Sequence, residues 1–123
     1  MKITEICALS KEAIETLLNG RRTELPDHHS RARRRVPRWP FPGTVELWIP
    51  EVGGGERYTL ATSLDLSVDG VGIRADEPLP SGMEMAIAIH EPEVSFHGRA
   101  VVAHCTALEN EFLIGLRFEF EDL

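Results

Sequence analysis

Two hydrophobic periodicities divide this chain. In residues 10–19, Ala13, Ile14, Leu17 and Leu18 recur at helical spacing, with Lys11, Glu12, Glu15 and Thr16 largely on the opposite side. That pattern predicts a short amphipathic helix. Ser10 suits its N-cap, Leu9 is placed to staple onto Ile14, and Asn19-Gly20 is a stop signal. Before it, Thr4 is placed to cap an earlier turn carrying Ile3 and Ile6. The helix reads as a brace on the side of a domain rather than a partner-binding element.

From Thr44 onward the period switches to two. Val45, Leu47 and Ile49 alternate with Thr44, Glu46 and Trp48 up to Pro50, and Gly53-Gly54-Gly55 forms a hairpin connection. Tyr58, Leu60, Thr62, Leu64 and Leu66 are expected to share one face of a second strand. After the turn Ser67-Val68-Asp69-Gly70, Val71, Ile73 and Ala75 start a third. Met83, Met85, Ile87 and Ile89 mark a fourth. Phe96, Gly98, Ala100, Val102 and His104 mark one face of a fifth, and Phe112, Ile114, Leu116, Phe118 and Phe120 mark a sixth. No helical pattern separates these segments. Short antiparallel strands at this spacing make a barrel or a sandwich, and a small closed barrel hides its edges better. The expected fold class is all-β, a six-stranded antiparallel barrel with a short N-terminal helix.

Residues 20–43 follow neither period. Pro26, Pro37, Pro40 and Pro42 exclude a long helix, and few apolar residues precede Val36. The chain therefore divides into an N-terminal helical extension (1–20), an Arg/Pro-rich arm and linker (21–43) and a β-barrel (44–123). Trp39 and Phe41 read as the anchors that pin the arm to the barrel, with stacking on a base as the other reading.

Charge changes the picture. Of 123 residues, 13 are basic and 20 acidic, for a net charge of −7. Yet residues 21–38 hold seven arginines against Glu24 and Asp27, a local charge of +5, which leaves −12 for the rest. A basic arm on an acidic body suits a compact anionic ligand, whereas the body repels long polyanions. General nucleic-acid binding is therefore not expected. No apolar run reaches the roughly 20 residues of a membrane span. The start Met1-Lys2-Ile3-Thr4-Glu5 is not a signal peptide, so a cytoplasmic location with Cys7 and Cys105 as thiols is expected. His28, His29, His90, His97 and His104 lack metal-ligand spacing, and no nucleophile elbow, Walker or dinucleotide-binding glycine pattern occurs. The expectation is neither enzyme nor metalloprotein, with no cofactor.

Two motifs remain. Arg33-Arg34-x-x-x-Arg38 precedes the first strand, and Asp65-x-Ser67-x-x-Gly70 ends the second. Together they resemble the PilZ domain family, whose signature is RRxxxR followed by [D/N]xSxxG. Ile114-Gly115-Leu116-Arg117-Phe118 is similar to the family's last strand. The resemblance covers roughly residues 31–120. It implies a six-stranded barrel that binds the bacterial second messenger cyclic di-GMP and signals to a downstream protein partner in trans. It further implies that Arg34 and Arg38 grip guanine and phosphate with help from Arg33, and that Asp65 accepts from the guanine N1–H and N2–H. Ser67 would donate to a phosphate oxygen, and Gly70 would permit a positive backbone dihedral or a close approach by the ligand. Arg31 and Arg35 are possible additional contacts. Asp69 departs from the family pattern, where a small residue is common, and its charge would oppose a phosphate unless it points to solvent or pairs with an arginine.

The chemistry of the residues agrees independently. Guanidinium groups are permanently charged planar forks suited to phosphate oxygens and to the O6/N7 edge of guanine. Two other readings keep part of this picture: a PilZ-like protein-interaction domain that ignores the nucleotide, and an RNA- or DNA-binding arm on a barrel.

Overall fold

The computed structural model describes residues 5–19, 38–90 and 94–120. Strand β1 (Glu5–Ala8) is followed by helix α1 (Lys11–Asn19) and six further strands. These are β2 (Trp39–Pro50), β3 (Glu56–Leu66), β4 (Gly70–Ala75), β5 (Glu84–His90), β6 (Val94–Ala107) and β7 (Phe112–Glu119). Neighbours run β6-β5-β2-β3-β4-β7, all antiparallel, and β7 pairs back onto β6 to close a six-stranded barrel. Closure removes every edge but the short stretch of β6 that β7 does not reach, and β1 covers it.

That covering strand places Ile6 in extended backbone where a turn was expected, while Ile3 and Thr4, the turn's other residues, lie outside the described residues. Glu5–Ala8 lies parallel to Val94–His97. Four residues cannot hold an extended form alone; the exposed backbone of β6 supplies the partner. Ser10 then caps α1 as expected, its Oγ accepting from Ala13 N–H at 3.1 Å. Leu9, Ile14 and Leu18 are buried in the same continuous core as the barrel interior. The helix is thus part of the core, and Leu9 presses on β6 so closely that a methyl on Gly98 would lie 2.5 Å from its Cβ.

The barrel interior is filled by Val45, Leu47, Ile49, Val71, Ile73, Met85, Ile87, Ile89, Ala100, Val102, Ile114 and Leu116, as the alternation predicts. Three irregularities break the period. The first strand starts at Trp39 rather than Thr44, because Trp39 and Pro40 pair with Leu66 and Asp65. Between Pro40 and Gly43 the register shifts, and Phe41 turns fully into the core. Opposite, β3 has a bulge at Leu64, between Ser63↔Ile73 and Asp65↔Gly72. Tyr58, Leu60 and Thr62 consequently face solvent, while Ala61 and Ser63 point inward. Leu66 points inward only beyond the bulge. Buried Ser63 donates to the Phe41 carbonyl at 2.8 Å, so its hydroxyl is satisfied. On β6 a third bulge at Ala103 turns His104 to the outside, away from the face it was expected to share with Phe96 and Val102.

The glycine run of the first hairpin has φ of 93°, 108° and 79° at Gly53, Gly54 and Gly55, backbone that other residues adopt only with strain. On the outer wall a polar belt crosses four strands. Tyr58 Oη donates to Glu46 at 2.6 Å, Glu46 also bonds His90 at 2.6 Å, and His90 bonds Ser95 at 2.7 Å. Trp48 lies against Tyr58 with ring centroids 5.5 Å apart. The Tyr58 hydroxyl is the main reason the Glu46 carboxyl is held below its ordinary pKa; burial opposes it and His90 assists.

Candidate functional site

The bulge at Leu64 and the shift at Phe41–Pro42 place Asp65 on the outer wall beside the start of β2. There Arg38 Nη1 donates to Asp65 Oδ1 at 3.2 Å, with both side chains about one-fifth exposed. The same oxygen accepts the Gly72 N–H at 3.1 Å. Asp65 Oδ2 makes no hydrogen bond among the described residues. Among the described residues Arg38 engages one of the five donors of a guanidinium.

Register explains why the carboxylate can lie flat on the wall. Pro40, Asp65, Gly72, Gly115 and His104 form one row across β2, β3, β4, β7 and β6. The two central positions carry no side chain. A methyl on Gly72 would lie 2.5 Å from Asp65 Oδ1, and one on Gly115 would lie 2.2 Å from His104 Nε2. The two glycines therefore leave room on the wall for the Asp65 carboxylate on one side and the His104 imidazole on the other.

Ser67 and Gly70 shape the turn beside this wall. Ser67 is 2% exposed, and its Oγ accepts from the N–H groups of Asp69 and Gly70, each at 3.2 Å. The backbone closes the same turn, Ser67 N–H donating to the Gly70 carbonyl at 2.9 Å. The hydroxyl is thus engaged in holding the turn. Gly70 does not have the positive φ the resemblance allowed for. What requires glycine is β7, since a methyl on Gly70 would lie 2.1 Å from the Leu116 carbonyl oxygen. Asp69 is exposed, and its carbonyl accepts from Phe118 N–H at 2.8 Å, tying the turn to β7.

Arg38, Asp69, Gly70, Gly115 and Arg117 line a shallow cleft of about 190 Å³. Arg117 is paired in register with Gly70 and projects outward. Arg57 is committed to Glu51 and Glu77, and Arg74 to Glu111. Arg117, which lines the cleft, has no ion pair among the described residues. A larger hollow of about 470 Å³, lined by Pro78, Leu79, Pro80, Cys105, Ala107 and Phe112, offers no charged side chain and suits no anion.

Of the residues singled out from sequence, Arg38, Asp65, Ser67 and Gly70 come together here. Arg31, Arg33, Arg34 and Arg35 lie outside the described residues, although the chain runs directly from them into Arg38. Gly72, Gly115, His104 and Arg117 were not singled out as site residues, although Gly115 and Arg117 stand in the Ile114–Phe118 pattern that resembles the family's last strand. Their signal was the register, which a single sequence does not print. Among the described residues no group of three His, Cys, Asp or Glu is placed to hold a metal ion.

The family model for the PilZ domain matches residues 32–123, about three-quarters of the chain. The chain belongs to the PilZ domain family. Among solved structures it is similar to the PilZ domain with c-di-GMP of YcgR from Escherichia coli. The TM-score is 0.56 at 21% identity, over 70% of this chain and 77% of that one. It is also similar to YcgR in complex with c-di-GMP from Escherichia coli, with a TM-score of 0.53 at 21% identity. That match covers 71% of this chain but 38% of the other. At this identity the likeness establishes the shared PilZ barrel. No curated protein matches the chain significantly. No described helix is long and apolar enough to cross a membrane.

Proposed function

We propose that this PilZ chain is a receptor for cyclic di-GMP. The observation that carries the reading is the Arg38–Asp65 pair at 3.2 Å, its carboxylate lying over Gly72, where only a missing Cβ leaves it room. It presents a cationic fork and a free carboxylate oxygen together on the outer wall. Asp65 Oδ2 is suited to the N1–H and N2–H of guanine, and the spare Arg38 donors to guanine O6/N7 or a phosphate oxygen. Arg33 and Arg34, four or five residues before Arg38, supply the remaining positive charge, with Arg31 and Arg35 in reach as further contacts. Arg117 faces the cleft from β7. A cyclic dinucleotide carries two phosphates and two guanines, so three or four arginines match its demands. The solved YcgR structures, with c-di-GMP on the same barrel, support the reading.

Ser67 and Gly70 act in this scheme by fixing the turn against β7, so that nearby backbone stays in place when the ligand arrives. The arm clamps the ligand against the barrel and is ordered by it. The surface so formed is read by a downstream protein partner.

Isothermal titration of the purified chain with cyclic di-GMP is the test. The expected result is a heat of binding at micromolar concentrations that Arg34→Ala and Arg38→Ala each weaken tenfold or more, at roughly 1.5–3 kcal/mol per charge-assisted hydrogen bond. Absence of heat, or full binding in Arg34→Ala, would leave the protein-interaction reading in its place.

A further inference from the structure

We propose that the barrel end away from the Arg38–Asp65 pair docks a basic amphipathic helix of a protein partner. The inference does not rest on the receptor reading. Three connections meet at that end: the β2–β3 turn, the β4–β5 loop and the β6–β7 turn. The strands there are of unequal reach. β5 starts at Glu84, opposite Val101 of β6, whereas β6 runs on beside β7 until Ala107 faces Phe112. The inner face of this overhanging hairpin has outrun β5 and is covered by Pro78-Leu79-Pro80 of the β4–β5 loop instead. That cover is partial. Leu79 and Ile114 are buried, but Cys105 and Phe112 are only half-buried and Ala107 is exposed. What remains between loop and hairpin is the apolar hollow of about 470 Å³, and exposed Leu108 extends the apolar surface to the hairpin tip.

The border of the hollow decides its occupant. Segments 51–57, 74–84 and 109–111, which form or flank the three connections, carry seven acids against Arg57 and Arg74. Both arginines are already paired, Arg57 with Glu51 and Glu77 and Arg74 with Glu111. Asp76, Glu84 and Glu109 are exposed and have no ion pair among the described residues. Such a border repels an anionic membrane surface or a nucleic acid and attracts a cationic partner. The lining has no polar side-chain group except the Cys105 thiol, so it lacks the placed donors and acceptors that orient a small polar ligand. A helix with apolar anchors on one face and lysines or arginines beside them meets both conditions. Its anchors fill the hollow, and its cations relieve the mutual repulsion of acids that the fold leaves unpaired.

The experiment titrates the full chain, followed by NMR, with a helical peptide of leucine and lysine whose leucines recur at i, i+3, i+4 and i+7. The expected result is saturable binding with shifts centred on Leu79, Cys105, Ala107 and Phe112, and none from the same peptide with glutamate for lysine. Ala107→Arg sets a cation at the mouth of the hollow from an exposed position and is expected to weaken binding roughly tenfold or more. The double variant Asp76→Lys, Glu109→Lys leaves the hollow intact and is expected to weaken it several-fold, with a flatter salt dependence. Thermal melts check that each variant folds, and the double variant carries the test if Ala107→Arg does not. Absence of binding, shifts spread over other faces of the barrel, or wild-type affinity in a folded variant overturns the inference. So does self-association of the chain, seen by sedimentation, that Ala107→Arg disperses, since the hollow would then belong to a second copy. A chain that binds the peptide but not cyclic di-GMP supports the docking surface and counts against the receptor reading alone.

Discussion

Arg38 and Asp65 meet across the β2–β3 pair, and the Asp65 oxygen that receives the guanidinium also receives the Gly72 N–H. Each side chain thereby holds the other in a defined rotamer before any ligand is present. Such a pair, partly exposed, adds at most about 1 kcal/mol to stability. On the proposed receptor reading its value lies in preorganisation, since less side-chain freedom would remain to be lost on binding.

Arg38→Ala should therefore separate binding from folding. Affinity for cyclic di-GMP is expected to fall tenfold or more, while the urea midpoint changes by less than about 1 kcal/mol. Arg38→Lys keeps the charge but not the planar fork, and should recover only part of the loss. Calorimetry and urea unfolding on the same preparations read both quantities.

The two glycines of β4 should respond differently to a methyl group. At Gly70 the obstacle is the Leu116 backbone carbonyl, which cannot swing aside. Gly70→Ala is expected to cost about 1–3 kcal/mol and lower the melting temperature. At Gly72 the obstacle is the Asp65 side chain. Gly72→Ala should displace the carboxylate, weaken the ion pair and reduce ligand affinity, with a smaller loss of stability. Equal melting curves for the two variants would contradict this distinction.

The polar belt predicts an acid limb of stability. Glu46 has its pKa lowered, first by the Tyr58 hydroxyl, so in the folded state it binds a proton less readily than in the unfolded chain. The stabilisation is present above the unfolded pKa and is lost as pH falls through the folded one. Tyr58→Phe removes the leading cause, and the midpoint of acid unfolding followed by circular dichroism should move to higher pH. The Tyr58 phenol is reciprocally held above its ordinary pKa by Glu46. An acid midpoint identical in Tyr58→Phe and wild type would remove Glu46 from the account.

Helix α1 should prove integral to the fold. Ile14 is fully buried in the common core. Ile14→Ala is expected to cost about 2–5 kcal/mol in urea unfolding, whereas an added surface brace would lose far less.

The barrel was legible because each strand keeps period two where it faces the core, as Val45–Ile49, Val71–Ala75 and Met85–Ile89 do. Leu64, Ala103 and Phe41–Pro42 were not, because a bulge changes which residues face inward without changing their character. The alternation Tyr58-Leu60-Thr62-Leu64-Leu66 looked continuous, yet its first half lies outside. β1 escaped for another reason: Glu5–Ala8 is a strand only because β6 has a free edge for it. At the site, Arg38, Asp65, Ser67 and Gly70 stood in recognisable spacing. The glycine row needed pairings between strands far apart in sequence, since Gly72 and Gly115 become neighbours only when β4 meets β7.

The pairing of β1 with β6 has a further consequence for the arginines. With β1 and α1 anchored on the barrel and β2 starting at Trp39, segment 20–37 is joined to the same body at both ends. It is a closed loop of chain, part of whose closure entropy has been met by folding. Arg34 cannot stray more than about 14 Å from Arg38, four residues on, whatever path the backbone takes. If cyclic di-GMP binds at Asp65 as proposed, the covalent tether alone would hold these arginines at a high effective concentration beside it.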